Sequence, residues 1–377
     1  MFLGLISYPL YLWHWPLLSV CNIIEGALPS ITIRISAVIL SIVLATLTYY
    51  FIEPKLRYGK NGKKKALGLF LVMLAIGVYG ITEYKYSYTQ HQNSRFKNEL
   101  SNIPEWYKLY NKLCFIRYQE LKNQGRGCYI ESAKGKYNSV ALMGDSHSGQ
   151  LLPGLLILNK RIYNIHSIAV PGHVPYYGFE SETINRDQNW IKERRDGAKV
   201  WDRAFMDELQ DPNVKVFVLA HNPRCSRNDI TDTQNPNSTL SSDELHLIGA
   251  KRTFDLLKQY NKQVIIVKDD PQLPFAPQKC QPRPRPITFH KSLCSFDRTI
   301  FDKFEPRNFY NGILEKVAKD YDNISFIDLS DKLCDKTRCY IKIGNKVIYR
   351  DKDHLNNLGS IYVAPMIDEA IKKALKK

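Results

Sequence analysis

Residues 139–147 read Ser139-Val-Ala-Leu-Met-Gly144-Asp145-Ser146-His147. A short apolar run ends in a glycine, an acid, a hydroxyl and an imidazole. The run suits a strand buried in a sheet, and the glycine and the acid suit a turn. A helix is expected to follow over 149–159. A serine at a sharp strand-to-helix turn is held exposed, and a helix N-terminus favours a negative charge developing beside it. Asp and Ser are also common helix caps, so the tripeptide alone has a purely structural reading.

The pattern continues outward from this stretch. Further β-branched runs at 162–170, 214–220, 264–267 and 324–329 alternate with helical stretches at 191–209, 242–260, 307–321 and 358–375. Such alternation predicts an α/β fold, a parallel sheet covered on both faces by helices. Ligand and catalytic sites of such sheets lie at the carboxyl ends of the strands. Just before the last helix stands Arg350-Asp351-Lys352-Asp353-His354. Asp351 and His354 are three apart, so one turn presents both side chains together. A histidine that takes a proton from serine needs a carboxylate on its other nitrogen. Ser146 follows the first strand of the pattern and the Asp/His pair precedes the last helix, so both are expected at one sheet edge. Asp353 is expected to point elsewhere. Residues 270–294, rich in Pro, Lys and Arg, read as a long surface loop.

Gly144-Asp145-Ser146 and Asp351-x-x-His354 resemble the first and last blocks of the SGNH hydrolases. The resemblance covers residues 138–377 and implies a flavodoxin-like three-layer α/β/α domain around a central parallel sheet. It implies Ser146 as nucleophile, His354 as base and Asp351 as its orienter, with no metal. Gly172, after the second strand, and Asn222, after the third, stand where that family completes its oxyanion hole.

The 377 residues suit two or three folding units. The formal net charge of +16 comes from basic residues scattered along the chain, without a nucleic-acid-binding signature, so no nucleic acid is expected as a partner. The eight cysteines include the close pairs Cys114/Cys128, Cys280/Cys294 and Cys334/Cys339, with Cys21 in an apolar stretch and Cys225 left over. No zinc-like spacing occurs, which favours disulfides and an oxidising compartment. Spacing alone does not decide the pairing; Cys334–Cys339 and Cys114–Cys128 are the bonds expected.

The first ~85 residues are strongly apolar, with three segments at 2–24, 31–52 and 66–81 near the ~20 residues that span a bilayer. Lys55, Arg57, Lys60, Lys63, Lys64 and Lys65 separate the second from the third, whereas the only basic residue near the junction of the first and second is Arg34, at the start of the second. The positive-inside rule places the lysine-rich loop in the cytoplasm and all that follows residue ~88 outside it. The organisation expected is 1–87 membrane, 88–137 linker and 138–377 catalytic domain.

Ser7-Tyr8-Pro-Leu-Tyr11-Leu-Trp13-His14-Trp15-Pro16 and Phe51-Ile-Glu53-Pro54-Lys-Leu-Arg57 resemble the last part of the acyltransferase-3 membrane domain. That family carries its catalytic histidine in earlier helices, so His14 is not its counterpart, and the chain looks like the C-terminal part of such an enzyme. The combined resemblance implies O-acetylation of an envelope glycan such as O-antigen or peptidoglycan. It implies no bound cofactor, an acetyl donor such as acetyl-CoA used through the membrane domain, and a place in a bacterial inner membrane with the C-terminal domain in the periplasm. The alternatives are a membrane-anchored esterase and a silent glycan-binding module. A reporter active only outside the cytoplasm is expected to work when fused after Lys377 and to be silent at Gly62. The reverse result would overturn the compartment argument.

Overall fold

The computed structural model describes residues 2–25, 29–57, 61–91, 110–118, 120, 127–131, 138–159, 162–181, 188–227, 230–280 and 293–377. The chain divides into two units, one of residues 1–102 with 281–292 and one of residues 103–280 with 293–377.

The first unit contains helices α1 (Ser7–Glu25), α2 (Ile31–Leu47) and α3 (Gly62–His91). Small residues four apart on α2, Ala37, Ser41 and Ala45, are buried where α1 packs against it. Trp13 Nε1 donates to Thr48 Oγ1 at 2.9 Å just past the end of α2. Among the described residues, two stretches are long and apolar enough to cross a membrane, Ile31–Lys55 and Gly62–Thr82. The sequence suggested three. The first segment does form a helix, but Pro9, His14, Pro16, Asn22 and Glu25 dilute its apolar character.

The second unit is built on strands β1 (Cys114–Phe115), β2 (Gly127–Ile130), β3 (Ser139–Gly144), β4 (Asn164–Ala169), β5 (Val214–Ala220), β6 (Gln263–Lys268) and β7 (Ile324–Asp328). They form one seven-stranded sheet in the order β1-β2-β4-β3-β5-β6-β7. The five strands from β4 to β7 are parallel, with β3 between β4 and β5. That order is flavodoxin-like, reversing direction beside the first parallel strand. The sheet is mixed rather than wholly parallel, because β1 and β2 extend its edge antiparallel. Both come from the stretch read as a linker; the rest of that stretch at 92–109, 119, 121–126 and 132–137 lies outside the described residues.

The helices that concern the core and the site include α4 (Ser146–Gly149), α5 (Leu152–Leu158), α6 (Gln188–Gln210), α7 (Ser242–Gln259), α8 (Glu305–Ala318) and α9 (Asn357–Ala374). Strand periodicity of two sorts their partners. Val140, Leu142, Val216, Val218, Ile265 and Val267 face one core with Leu155 of α5 and Val363 and Ile367 of α9. Ala141, Met143, Phe217, Leu219, Val264 and Ile266 face the other, with Trp201 and Phe205 of α6 and Phe254 of α7. Helix starts are local in origin: Ser241 and Glu244 form a capping box on α7, and Asn356 caps α9 through Gly359 N. The helix expected over 149–159 is broken into α4 and α5, and Pro153 stands in the first turn of the new helix.

Among the described residues three disulfides are present, Cys114–Cys128, Cys280–Cys294 and Cys334–Cys339, and Cys21 and Cys225 take part in none of them. Cys114–Cys128 joins the two antiparallel edge strands. The stretch read as a surface loop does not start at the surface: Asp270, Gln272 and Leu273 are buried, and residues 281–292 lie outside the described residues. Sequence separations of 14 and 5 close loops of different length. The chain-entropy relation then assigns about 3 kcal/mol to Cys280–Cys294 and about 2 kcal/mol to Cys334–Cys339. Replacing Cys280 and Cys294 with Ser is expected to lower the melting temperature of the full chain more than replacing Cys334 and Cys339; the opposite ranking would count against this origin of their stabilisation.

Candidate active site

The site starts from a steric requirement. Gly144, the last residue of β3, has φ +148°, and a Cβ there would lie 1.8 Å from the Ala220 carbonyl oxygen of β5. Only glycine fits where the two strands approach. Asp145 then caps α4: its Oδ1 accepts from His147 N at 2.9 Å, and its Oδ2 accepts from Asn222 N at 3.0 Å. The next residue, Ser146, is half-buried.

Ser146 Oγ lies 2.8 Å from His354 Nε2. His354 Nδ1 lies 3.0 Å from Asp351 Oδ1 and 3.1 Å from its Oδ2. Asp351 Oδ1 also accepts from the backbone N–H groups of His354 at 2.8 Å and Asp353 at 3.1 Å, which fixes the turn before α9. The structure thus brings Ser146, His354 and Asp351 into one hydrogen-bonded line. Gly172 and Asn222 follow β4 and β5, the two strands that flank β3. Gly172 has φ +62°, which favours glycine at the turn.

Asp353 does not point elsewhere. Its Oδ1 lies 3.3 Å from His354 Nδ1, so two carboxylates converge on one imidazole nitrogen. Asp351 is nearer, but its side chain is 45% exposed and is shared with Arg350 Nε at 3.3 Å. Asp353 is only 26% exposed, so its grip on the ring is less screened by solvent. Its Oδ2 accepts from Asn222 Nδ2 at 3.3 Å. The Asn222 side chain is itself oriented, since its Oδ1 accepts from Gln272 Nε2 at 2.9 Å and Arg224 N at 3.0 Å. Sequence reasoning missed Asp353 because attention to the i, i+3 pair treated the intervening acid as solvated. The signal was the acid immediately before the histidine.

Burial pulls the His354 pKa down, but hydrogen bonding to Asp353 and the charge of Asp351 more than reverse it, to about 9. The hydrogen bond from His354 in turn holds Asp353 well below the ordinary carboxylate range, against its burial. His354 at neutral pH is therefore an imidazolium between two carboxylates. Above about pH 9 the ring is neutral; Nδ1–H then donates to Asp351, and Ser146 Oγ–H can donate to Nε2.

Two sets of side chains, His147 with Asp269 and Asp270, and His147 with Asp353 and His354, offer ligand atoms within 4.8 Å of one another, as a metal site would. His147 Nδ1 is already hydrogen-bonded to Asp269 Oδ1 at 2.6 Å, so the first set holds together through its own protons.

The family model described as "SGNH domain (fused to AT3 domains)" matches residues 114–369. The chain belongs to this family. The matched residues include both edge strands and every residue of the Ser146–His354–Asp351 line, and the N-terminal helices precede them. A search of curated proteins returns no match. Solved structures with a similar fold include the periplasmic domain of a lipopolysaccharide acetyltransferase from Salmonella ser. Paratyphi A, at 15% identity and TM-score 0.43, over 72% of this chain and 99% of that one. A putative platelet activating factor from Streptococcus pneumonia matches at 13% identity and TM-score 0.36, over 72% and 95%. A GDSL-like lipase from Bacteroides thetaiotaomicron matches at 14% identity and TM-score 0.35, over 65% and 92%.

Removing the Asp353 charge destabilises the imidazolium, so Asp353→Asn is expected to lower the titration midpoint of His354 by about 1 unit. NMR titration of ring-labelled histidine in the full chain checks this. An unchanged midpoint would mean that Asp351 alone holds the ring.

Proposed function

We propose that the chain is an acyltransferase that moves an acetyl group to hydroxyls of a cell-envelope glycan through an ester on Ser146. The observation that carries the reading is the Ser146–His354–Asp351 line at 2.8 and 3.0 Å, in an SGNH domain of the kind fused to AT3 domains. In this reading His354 takes the Ser146 proton as Oγ attacks the acyl carbonyl, then returns it to the leaving group. A sugar hydroxyl then gives its proton to His354 as it attacks the ester, and His354 passes that proton to Ser146 Oγ as the ester bond breaks. Splitting the transfer makes two easier steps of one hard one. Gly172 and Asn222, with the Ser146 N–H, are the groups assigned to the oxyanion, and Asp351 orients the base. The two apolar helices suit a membrane anchor, and the lysine-rich loop at 55–65 suits a cytoplasmic side. The acetyl donor is assigned to the membrane part, with acetyl-CoA as its cytoplasmic source.

Hydrolysis is the second reading. The same line serves water as acceptor, and the half-buried Ser146 leaves a route for it. The reaction is followed with 4-nitrophenyl acetate, with and without an envelope glycan. Transfer predicts acetylated glycan and faster release of nitrophenol when the glycan is added. Free acetate as the sole product, at an unchanged rate, would establish hydrolysis. Ser146→Ala is expected to abolish either activity, and His354→Ala nearly so.

The pH dependence follows from His354. The base must be neutral to accept the Ser146 proton, and its pKa is about 9. The value of kcat/KM is expected to rise with pH, reaching half its maximum near pH 9. A plateau already reached at pH 7 would contradict the convergence of two carboxylates on the ring.

A further inference from the structure

The residues that follow β6 turn back beneath the site, and Asp269, Asp270, Gln272 and Leu273 each hold a different part of it. Asp269 Oδ1 lies 2.6 Å from His147 Nδ1, and His147 is the residue after Ser146. Asp270 Oδ1 accepts from Gln150 Nε2 at 2.7 Å, and Gln150 Oε1 accepts from Leu355 N, beside His354, at 2.7 Å. Gln272 Nε2 donates to Asn222 Oδ1 at 2.9 Å. Leu273 N donates to the carbonyl of Lys352, between the two acids that face His354, at 2.7 Å. Side chains and backbone of one five-residue segment therefore reach the turn after β3, the turn after β5 and the loop before α9.

We propose that residues 269–273 are the positioning segment of the site, setting the distance between Ser146 and His354 and the direction of the Asn222 amide. The proposal rests on the reading of Ser146 and His354 as nucleophile and base. The ring of His147 lies against that of His354, with centroids 4.5 Å apart, so the Asp269–His147 bond bears on both partners at once. Asp269, Asp270 and His147 are 5%, 1% and 1% exposed. Burial pushes both acids well above the usual carboxylate range, and Asp145 raises Asp269 further. A buried polar cluster of this kind costs stability against apolar packing of equal volume. What it supplies is directed geometry, which apolar side chains do not give.

The test uses the full chain and 4-nitrophenyl acetate. Asp269→Leu removes the acceptor for His147, and Gln150→Leu cuts the link to Leu355. Each is expected to lower kcat about tenfold or more, because an error of about 1 Å between reacting groups costs up to about a hundredfold. KM is expected to change by less than about twofold. Asp269→Asn keeps a neutral acceptor oxygen and is expected to retain kcat within about threefold. An unchanged kcat in both Leu variants, or an Asn variant as impaired as Asp269→Leu, overturns the positioning role. A second measurement does not depend on activity: in the crystal structure of Gln150→Leu, the Ser146 Oγ–His354 Nε2 separation should exceed hydrogen-bonding distance, and retention of 2.8 Å overturns the proposal. Wild-type protein inert to the ester would instead sink the nucleophile reading, and the structure of the variant would still decide the positioning one.

Discussion

A carboxylate with no exposure to solvent, Asp145, ties together the two turns on which the site depends. One oxygen holds the start of α4 through His147 N, and the other holds the turn after β5 through Asn222 N. Burial alone would protonate it. His221, 3.1 Å away, then His147 and the Asn222 N–H more than offset that burial, and its pKa falls to about 2. An ionised acid in the core is costly unless every lone pair is directed. Here the directing groups belong to the neighbours of Ser146 and to Asn222 itself. Gly144 makes the arrangement possible, because the backbone of β3 must pass close to Ala220 before Asp145 can reach across.

Much of the fold was legible because burial on both faces makes parallel strands read as short apolar runs. The runs at 214–220 and 324–329 became β5 and β7 within a residue, and 242–260 became α7 with its capping box. The edge strands were not legible. Cys114–Phe115 and Gly127–Ile130 are two and four residues long, too short for a period of two to stand out. The loop after β6 was misread for a related reason. Pro271, Pro274 and Pro277 with the basic residues beyond them suggest surface, yet Asp269, Asp270 and Gln272 turn inward, and composition carries no information on where a loop is aimed.

The site was legible in its sequence-local parts and not in its distant ones. Asp351 and His354 lie in one turn, and their contact follows from spacing. The meeting of Ser146 with His354 follows from the topology, since β3 lies inside the sheet and the loop before α9 returns to the same edge. The contacts of Asp269 with His147 and of Gln272 with Asn222 span 122 and 50 residues, and no local pattern announces them. Asp353 shows the opposite failure. Its position next to His354 was plain, but an extended turn lets residues i−3 and i−1 both face the same ring.

Two carboxylates on one histidine set the balance between its base and acid duties. They make His354 a stronger base but leave little of it neutral at pH 7, because its pKa is about 9. In transfer from one hydroxyl to another, the two half-reactions are mirror images: a proton leaves an alcohol as it attacks, and a proton reaches an alkoxide as it departs. One group must be base and acid in turn, and a pKa of about 9 favours the acid duty at neutral pH at the expense of the base duty. The imidazolium held by Asp351 and Asp353 is also the state in which the departing oxygen is protonated. Within the proposed transfer, the second acid trades resting base population for a proton held ready at the leaving group.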